Sequence, residues 1–300
     1  MTRRRTGAAA LTVGVALLAT AVAIARRNGV RFDRAVGRRV DELLARTDTS
    51  PEAPVTTDEY ADLPTPVRRY FERVLPDEAR PIRSARIEQR GRFRLGDADS
   101  SWKPLDATHY VTTGPPGFLW DATVELAPLV PVRVVDAYED GSGSLAATLW
   151  STVSVVDAEQ GAELDEGELQ RYLAEGVWYP TALSPRGGVE WEPIHDRAAR
   201  ATLSHRGTTA SLTFYFDDRG LVSRVVGDRP RLVEDGTYEP TRWTGHWADY
   251  EERNGVTVPT TGEVSWNLPG ETRTYWRASV ESIEYGAGAT TPPRVERTRP

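Results

Sequence analysis

Apolar and polar positions alternate along most of the chain. Ala85, Ile87, Phe93 and Leu95 keep one parity while Arg86, Glu88, Arg90, Arg92 and Arg94 take the other. That period of two marks a strand with one buried face. Phe118, Trp120, Ala122, Val124 and Leu126 alternate against Asp121, Thr123 and Glu125. Leu145, Ala147, Leu149, Ser151, Val153 and Val155 repeat the pattern after a Gly141-Ser142-Gly143 turn, as one predicted strand. Further strands are expected over 199–205, 210–216 and 221–226, punctuated by Gly207 and Asp217-Asp218-Arg219-Gly220. Strands over 243–251 and 256–266 flank Asn254-Gly255, a dipeptide suited to a two-residue hairpin, and 272–285 gives a last one. Roughly ten antiparallel strands with one dominant inward face predict a mainly β, β-rich α+β fold. Its form is a strongly curved antiparallel sheet or open barrel with a covering helix, preceded by an N-terminal transmembrane helix.

Helical spacing appears in three places. Glu163 to Gly176 turns Leu164, Leu169, Tyr172 and Leu173 to one side, with acids in its first turns as the helix dipole favours. This helix is expected to lie over the concave face, and Val177 to Thr181 leaves it. Val67, Tyr70, Phe71, Val74 and Leu75 mark a short helix with Thr65 as N-cap and Pro66 as its first residue. Residues 30–46 carry Phe32, Val36, Val40, Leu43 and Leu44 on one stripe and Arg31, Arg34 and Arg38 on another. That stretch either lies on an anionic lipid surface or continues into solvent.

The N-terminus brings in charge. Arg3, Arg4 and Arg5 precede nineteen uncharged residues, Gly7 to Ala25. At about 1.5 Å per residue such a run spans roughly 28 Å, one hydrocarbon core. Ala23-Ile24-Ala25 resembles a signal-peptidase site, whereas Arg26 and Arg27 favour a retained single-pass anchor. The membrane side of the folded domain stays open. The resulting organisation is 1–28 as membrane anchor or signal peptide, 29–57 as basic juxtamembrane helix and linker, 58–285 as the β-rich domain and 286–300 as a disordered tail. Membrane lipid is the partner expected along residues 7–46.

Residues 1–50 hold ten arginines against four acids, a balance of +6, whereas the remainder stands at −13 within a whole-chain charge of −7. An acidic folded body argues against nucleic acid. Hydrophobic residues at 39 % exclude a polytopic membrane protein, and the absence of cysteine excludes disulfides and thiolate chemistry. The four histidines, His109, His195, His205 and His246, fall at no metal-ligand spacing. Neither a metal nor a cofactor is expected, and Gly141-x-Gly143 is no phosphate loop.

Candidate chemistry is sparse. His195-Asp196 could pair a base with its orienting acid, although a solvated turn explains it as well. Asp121, Asp136, Glu168, Arg171 and Glu175 are the best charged candidates near the expected cavity. Glu168, Arg171 and Glu175 lie at i, i+3 and i+4 spacings suited to ordinary surface ion pairs. If Arg171 faces the sheet instead, it could hold an anionic head. Among nine tryptophans, Trp120, Trp178, Trp243 and Trp247 are expected to line the concavity, either as core or as an aromatic pocket.

Five segments carry a resemblance: LPTPVRRYFERVLP, GPPGFLWDATV, VRVVDAYEDGSGSL, ELDEGELQRYLAEGVWYPTAL and YEERNGVTVPTTGEVSW. Together they are similar to an uncharacterised bacterial and archaeal family of unknown function, over roughly residues 58–285. Tyr250, Asn254-Gly255 and Val258-Pro259 also resemble the strand–turn–strand of lipoprotein-carrier proteins, which implies a curved sheet under helical lids around an acyl-chain cavity. Three functional expectations follow. One is a membrane-anchored domain binding a lipid or other apolar ligand. Another is an envelope scaffold without ligand. The third is a hydrolase or isomerase using Glu168, Glu175 or His195.

Overall fold

In the computed structural model the alternating segments form thirteen strands of one antiparallel sheet. The structure describes residues 3–48, 50, 52–158, 160–233 and 236–286, except the side chains of 3–22 and 24. The first wing contains β1 (Ser84–Phe93), β2 (Lys103–Thr113), β3 (Pro116–Ala127), β4 (Val130–Glu139), β5 (Ser142–Leu149) and β6 (Val153–Asp157). The second contains β7 (Val189–His195), β8 (Ala198–His205), β9 (Thr208–Phe216), β10 (Val222–Leu232), β11 (Tyr238–Arg253), β12 (Val256–Leu268) and β13 (Glu271–Gly286). Each wing is a meander of hairpins, and the first strand of one pairs with the last of the other, from Ser84↔Gly286 to Phe93↔Trp276. The edges are therefore β6 and β7, and the sheet curls into a half-barrel.

The connection from β6 to β7 runs through the concavity. It holds α3 (Ala162–Glu175) and a chain of 3-10 turns from Gly176 to Gly187, and α3 touches strands of both wings, β3 to β5 and β8 to β10. The two wings also meet at their turns. Tyr138 Oη and His205 Nδ1 lie 3.0 Å apart, and Arg206 pairs with Asp140 at 2.8 Å. A second helix, α2 (Thr65–Val74), adds Val67, Tyr70, Phe71 and Val74 to the same interior, Tyr70 against Phe216 of β9. Pro64 rather than Thr65 occupies the N-cap position, and no side chain caps that helix.

A separate, smaller apolar cluster lies on the outer face. Inward parity on β3 belongs to Phe118 and Trp120, whereas Leu119 points away, as do Val135 and Ala137 on β4. There they receive Val36, Val40 and Leu43 of α1 (Arg3–Ala45). The expected stripe is thus spent on the sheet, neither on lipid nor in solvent. Arg39 binds Glu139 and Ser144, and Asp33 binds Arg133 at 2.8 Å. Thr47 is buried, the Asp48 amide donates to Gly114 O, and Arg83 donates to the Asp48 and Ser50 carbonyls. The expected span over 7–25 lies, for its side chains, almost wholly outside the described residues. Among the described residues, no helix is long and apolar enough to cross a membrane. The expected disordered tail also lies outside them, beyond Gly286.

Three strands escaped the alternation. β2 buries Leu105, Ala107, His109 and Val111, so a small and a polar residue hold half its inward positions. β4 is buried on both faces, which erases the period of two. β7 has only Val189 fully buried. The segment expected as one strand from Leu145 to Val155 is broken instead, because Trp150 and Ser151 turn the chain with φ of 51° and 53°.

Leu43→Ala is expected to weaken docking of α1 by about 2–3 kcal/mol. Trypsin should then cut after Arg38, Arg39 and Arg46 at least tenfold faster, while 58–285 stays intact on a gel.

Candidate functional site

α3 is buried on nearly all sides, which its sequence disguises. Leu164, Leu169, Tyr172 and Leu173 are buried as expected, but so are Glu168, Gln170 and Glu175, and the Arg171 side chain is only 15 % exposed. The surface-pair reading of these charges is therefore overturned. The helix start is pinned to β5, where the Gly143 amide donates to Asp165 Oδ1 at 2.6 Å. A side chain at Gly143 would bring its Cβ within 2.7 Å of the Leu164 carbonyl, so only glycine permits this approach.

Beneath α3 lies a cluster of ionisable groups drawn from four elements. Arg171 donates to Asp136 Oδ2 on β4 and to Glu175 Oε1 at 3.0 Å. Its guanidinium also stands 5.0 Å over the Phe118 ring and 4.9 Å over Trp120 of β3. Arg229 of β10 donates to the Gly167 carbonyl at 2.6 Å and stands 5.0 Å over Trp243. His109 of β2 is fully buried, with Nδ1 3.6 Å from Glu175 Oε2 and its ring edge-on to Phe118.

Burial sets the protonation of these groups. It pushes the Glu168 carboxyl well above its ordinary range, with the Asp136 carboxylate adding to the shift and Arg229 and Arg171 opposing it. Burial also raises Glu175, against the pull of Arg171. It drives His109 well below its usual value, aided by the Arg171 charge, so the imidazole is neutral at pH 7. A neutral His109 forms no ion pair with Glu175. Several polar atoms here have no protein partner, both His109 nitrogens and Glu175 Oε2 among them, whereas the Glu168 and Asp136 carboxyls share a hydrogen bond. Each such atom costs about 1–3 kcal/mol when desolvated. The docked helix therefore rests on a polar and costly seat.

The tryptophans build the apolar part. Trp178, fully buried, leaves α3 and enters a cage with Trp247 at 4.9 Å and Trp276 at 6.5 Å between ring centroids. Its indole donates to Pro259 O at 3.0 Å, and Tyr285 Oη donates to its carbonyl at 2.6 Å. Gly262 makes room for the cage, since a Cβ there would sit 2.7 Å from the Trp247 ring. Trp120 Nε1 donates to Gln89 Oε1 at 2.8 Å, and Trp243 Nε1 to Tyr275 Oη at 3.0 Å. All four tryptophans named from sequence are buried on the inner side, Trp120, Trp243 and Trp247 on the sheet and Trp178 on the segment that follows α3.

Other candidates lie apart. Asp121 pairs with Arg133, the residue that also binds Asp33 of α1. His195 is exposed at the end of β7, where its Nδ1 accepts from the Arg197 amide at 3.2 Å. Sequence reasoning did not select His109, Arg229, Gln89 or Trp276. Parity could have found two of them, since His109 follows Leu105 and Ala107, and Arg229 follows Val225 and Gly227, on inward positions. Among the described residues no group of three His, Asp or Glu side chains is placed to hold a metal.

The chain belongs to a family of unknown function, DUF6920, whose model matches residues 61–285. No curated protein matches it. Distant likenesses exist among solved structures. A LolA-superfamily protein from Nitrosomonas europaea is 10 % identical over 77 % of this chain and 94 % of its own, at a TM-score of 0.36. A β-barrel-like protein of the DUF1849 domain from Brucella abortus is 9 % identical over 68 % and 98 %, at 0.21. A porin-like protein from Bacteroides uniformis is 10 % identical over 69 % and 96 %, at 0.24. Scores this low carry no argument about chemistry.

The cluster can be tested at three positions. Arg171→Met leaves buried carboxyls without their cation and is expected to cost about 3–5 kcal/mol in urea unfolding. Glu168 has a folded pKa above its unfolded value, so its contribution is full in acid and lost as pH rises through the folded pKa. Glu168→Gln, which copies the protonated form, should fold, gain stability at pH 8 relative to the parent and lose that decline. His109 has the opposite sign: its contribution is full above about pH 6.5 and lost as pH falls toward its lowered folded pKa. His109→Phe should therefore flatten the acid side of the same stability curve.

Proposed function

We propose that this protein is a membrane-tethered carrier of an apolar ligand, a lipid acyl chain or a group of similar shape. Residues 162–187 act as an internal plug that vacates the concavity when the ligand enters. The observation that carries this reading is the double character of the plug's seat. An aromatic floor of Trp120, Trp243, Trp247 and Trp276 suits an apolar occupant, while the helix occupying it is docked over buried polar atoms that lack protein partners. Withdrawing α3 returns Glu168, Glu175, Asp136 and His109 to water, which offsets part of the cost of opening. On this reading Trp178 stands in for the ligand in the closed state, and Arg171 is free to meet an anionic headgroup once the helix moves. The tether is the uncharged run Gly7 to Ala25.

The hydrolase reading gains less support, because Glu168, Glu175 and His109 are sealed from solvent and His195 stands apart from them. A scaffold without ligand would keep the plug in place permanently.

The test uses cis-parinaric acid and the full chain in detergent, with energy transfer from the tryptophans as the readout. Saturable binding is expected. Trp178→Ala, which removes the filler, should tighten it about tenfold, a change of about 1.4 kcal/mol. Trp243→Ala should weaken it by a similar factor. No saturable transfer in the parent or in a folded Trp178→Ala variant would leave the scaffold reading in its place.

A further inference from the structure

Where α1 crosses the outer face of the first wing, two adjacent hairpin tips hold hydrophobic side chains in water. Residues 126–132, at the β3–β4 turn, read LAPLVPV, and residues 149–156, from the β5–β6 turn into the edge strand, read LWSTVSVV. Neither stretch contains a charge. Leu129 is 87 % exposed, Trp150 46 %, Val153 55 % and Val155 59 %. The tips are joined into one surface, because the Trp150 amide donates to Pro131 O at 3.1 Å and its indole to Leu129 O at 2.9 Å.

The backbone at these tips departs from that of three other hairpins in the sheet. The hairpins at Asp140-Gly141, Arg206-Gly207 and Asn254-Gly255 meet the demand for positive φ with a polar residue followed by glycine. At the tips the residues with positive φ are Leu129 (65°), Trp150 (51°) and Ser151 (53°). A branched and an aromatic side chain are thus held outward in a conformation that disfavours both. Local rules are broken in this way where function requires it.

Charge and chain direction identify the partner. Asn28 of α1 donates to Thr152 Oγ1 at 3.2 Å, which places this part of the helix beside the tips. Arg26, Arg27, Arg31, Arg34 and Arg38 are exposed on it, and the one acid among them, Asp33, is held by Arg133. Residues 1–50 carry +6 against −13 for the remainder, so this part of the fold is attracted to an anionic surface. The uncharged run ends at Ala25, three residues and about 4.5 Å of helix before Asn28.

We propose that this end of the molecule docks on an anionic lipid bilayer, with Leu129 and Trp150 entering its interfacial layer and Arg26, Arg27 and Arg31 pairing with lipid phosphates. Tryptophan favours that layer, since its ring is apolar and its N–H polar. The hairpin tips add a second point of contact to the helix and fix the orientation of the sheet on the membrane. The surface is independent of what the concavity binds.

The chain lacks cysteine, so a single label can be placed at will. Leu129→Cys carrying the NBD fluorophore in the full chain is mixed with phosphatidylcholine vesicles, with or without 30 mol % phosphatidylglycerol (about one lipid in three, enough for a strongly negative surface). With the anionic vesicles its emission should move to the blue, rise about threefold and be quenched by lipids bearing a nitroxide near the headgroup. The same label at Ser142→Cys, about 23 Å back along β5, should not respond. Replacing Arg26, Arg27 and Arg31 with Gln should remove the preference for anionic vesicles. An unchanged label at position 129, an equal response at 142 or a preference that survives the arginine replacements would overturn the proposal. A blue shift that grows with protein concentration without vesicles would also overturn it, assigning the surface to a second copy of the chain.

Discussion

A guanidinium buried over aromatic rings cannot stand without its counter-charges, and Arg171 brings them from both the helix and the sheet. Asp136 comes from β4 and Glu175 from one turn further along α3, while Phe118 and Trp120 supply ring faces below. This ion cluster determines where α3 can sit, because any other rotation of the helix would bury a charge unpaired. With α3 fixed, Trp178 is delivered into the Trp247–Trp276 cage and the connection from β6 to β7 can span the opening between the two edges. The closed shape of the half-barrel thus depends on a polar interaction at its centre.

Such a centre is an unusual way to fill a curved sheet. Replacing a buried ion pair with apolar residues is often neutral or stabilising, so its presence needs a reason beyond stability. Its physical consequence is a seat that is specific in geometry yet costly to keep dry. A Glu168 carboxyl pushed toward its neutral form and a neutral His109 reduce the charge count, while the partnerless His109 nitrogens and Glu175 Oε2 offset part of the free energy that holds the helix down. The carrier reading rests on that balance. The outer face follows the opposite logic: α1 is held by a plain apolar stripe against Leu119, Val135 and Ala137, with ion pairs only at its margins.

The sheet was largely legible in the sequence, because one buried face leaves a period of two. That signal failed where its physical basis was missing. β4 is covered on both faces, β2 carries Ala107 and His109 at inward positions, and Trp150-Ser151 turns the chain without glycine. The site was half legible. Asp136, Glu168, Arg171 and Glu175 could be named as charged residues near a cavity, and the four tryptophans as its lining. Their burial could not be read, because helical spacing of charges looks the same on a solvated face as in a core that supplies partners from another element. His109 and Arg229 become visible only once strand parity is known.

A carrier of this design requires that the plug open independently of the sheet. Hydrogen exchange followed by mass spectrometry at pH 7 measures this directly, since amides report the free energy of the smallest opening that exposes them. Amides of 162–183 are expected to exchange together, through an opening several kcal/mol less costly than the one that exposes β1, β2, β12 and β13. Added apolar ligand should speed exchange in the plug while leaving those strands unchanged. Exchange of the plug only at the rate of global unfolding, with or without ligand, would mean that the helix is a permanent part of the core and would contradict the central claim.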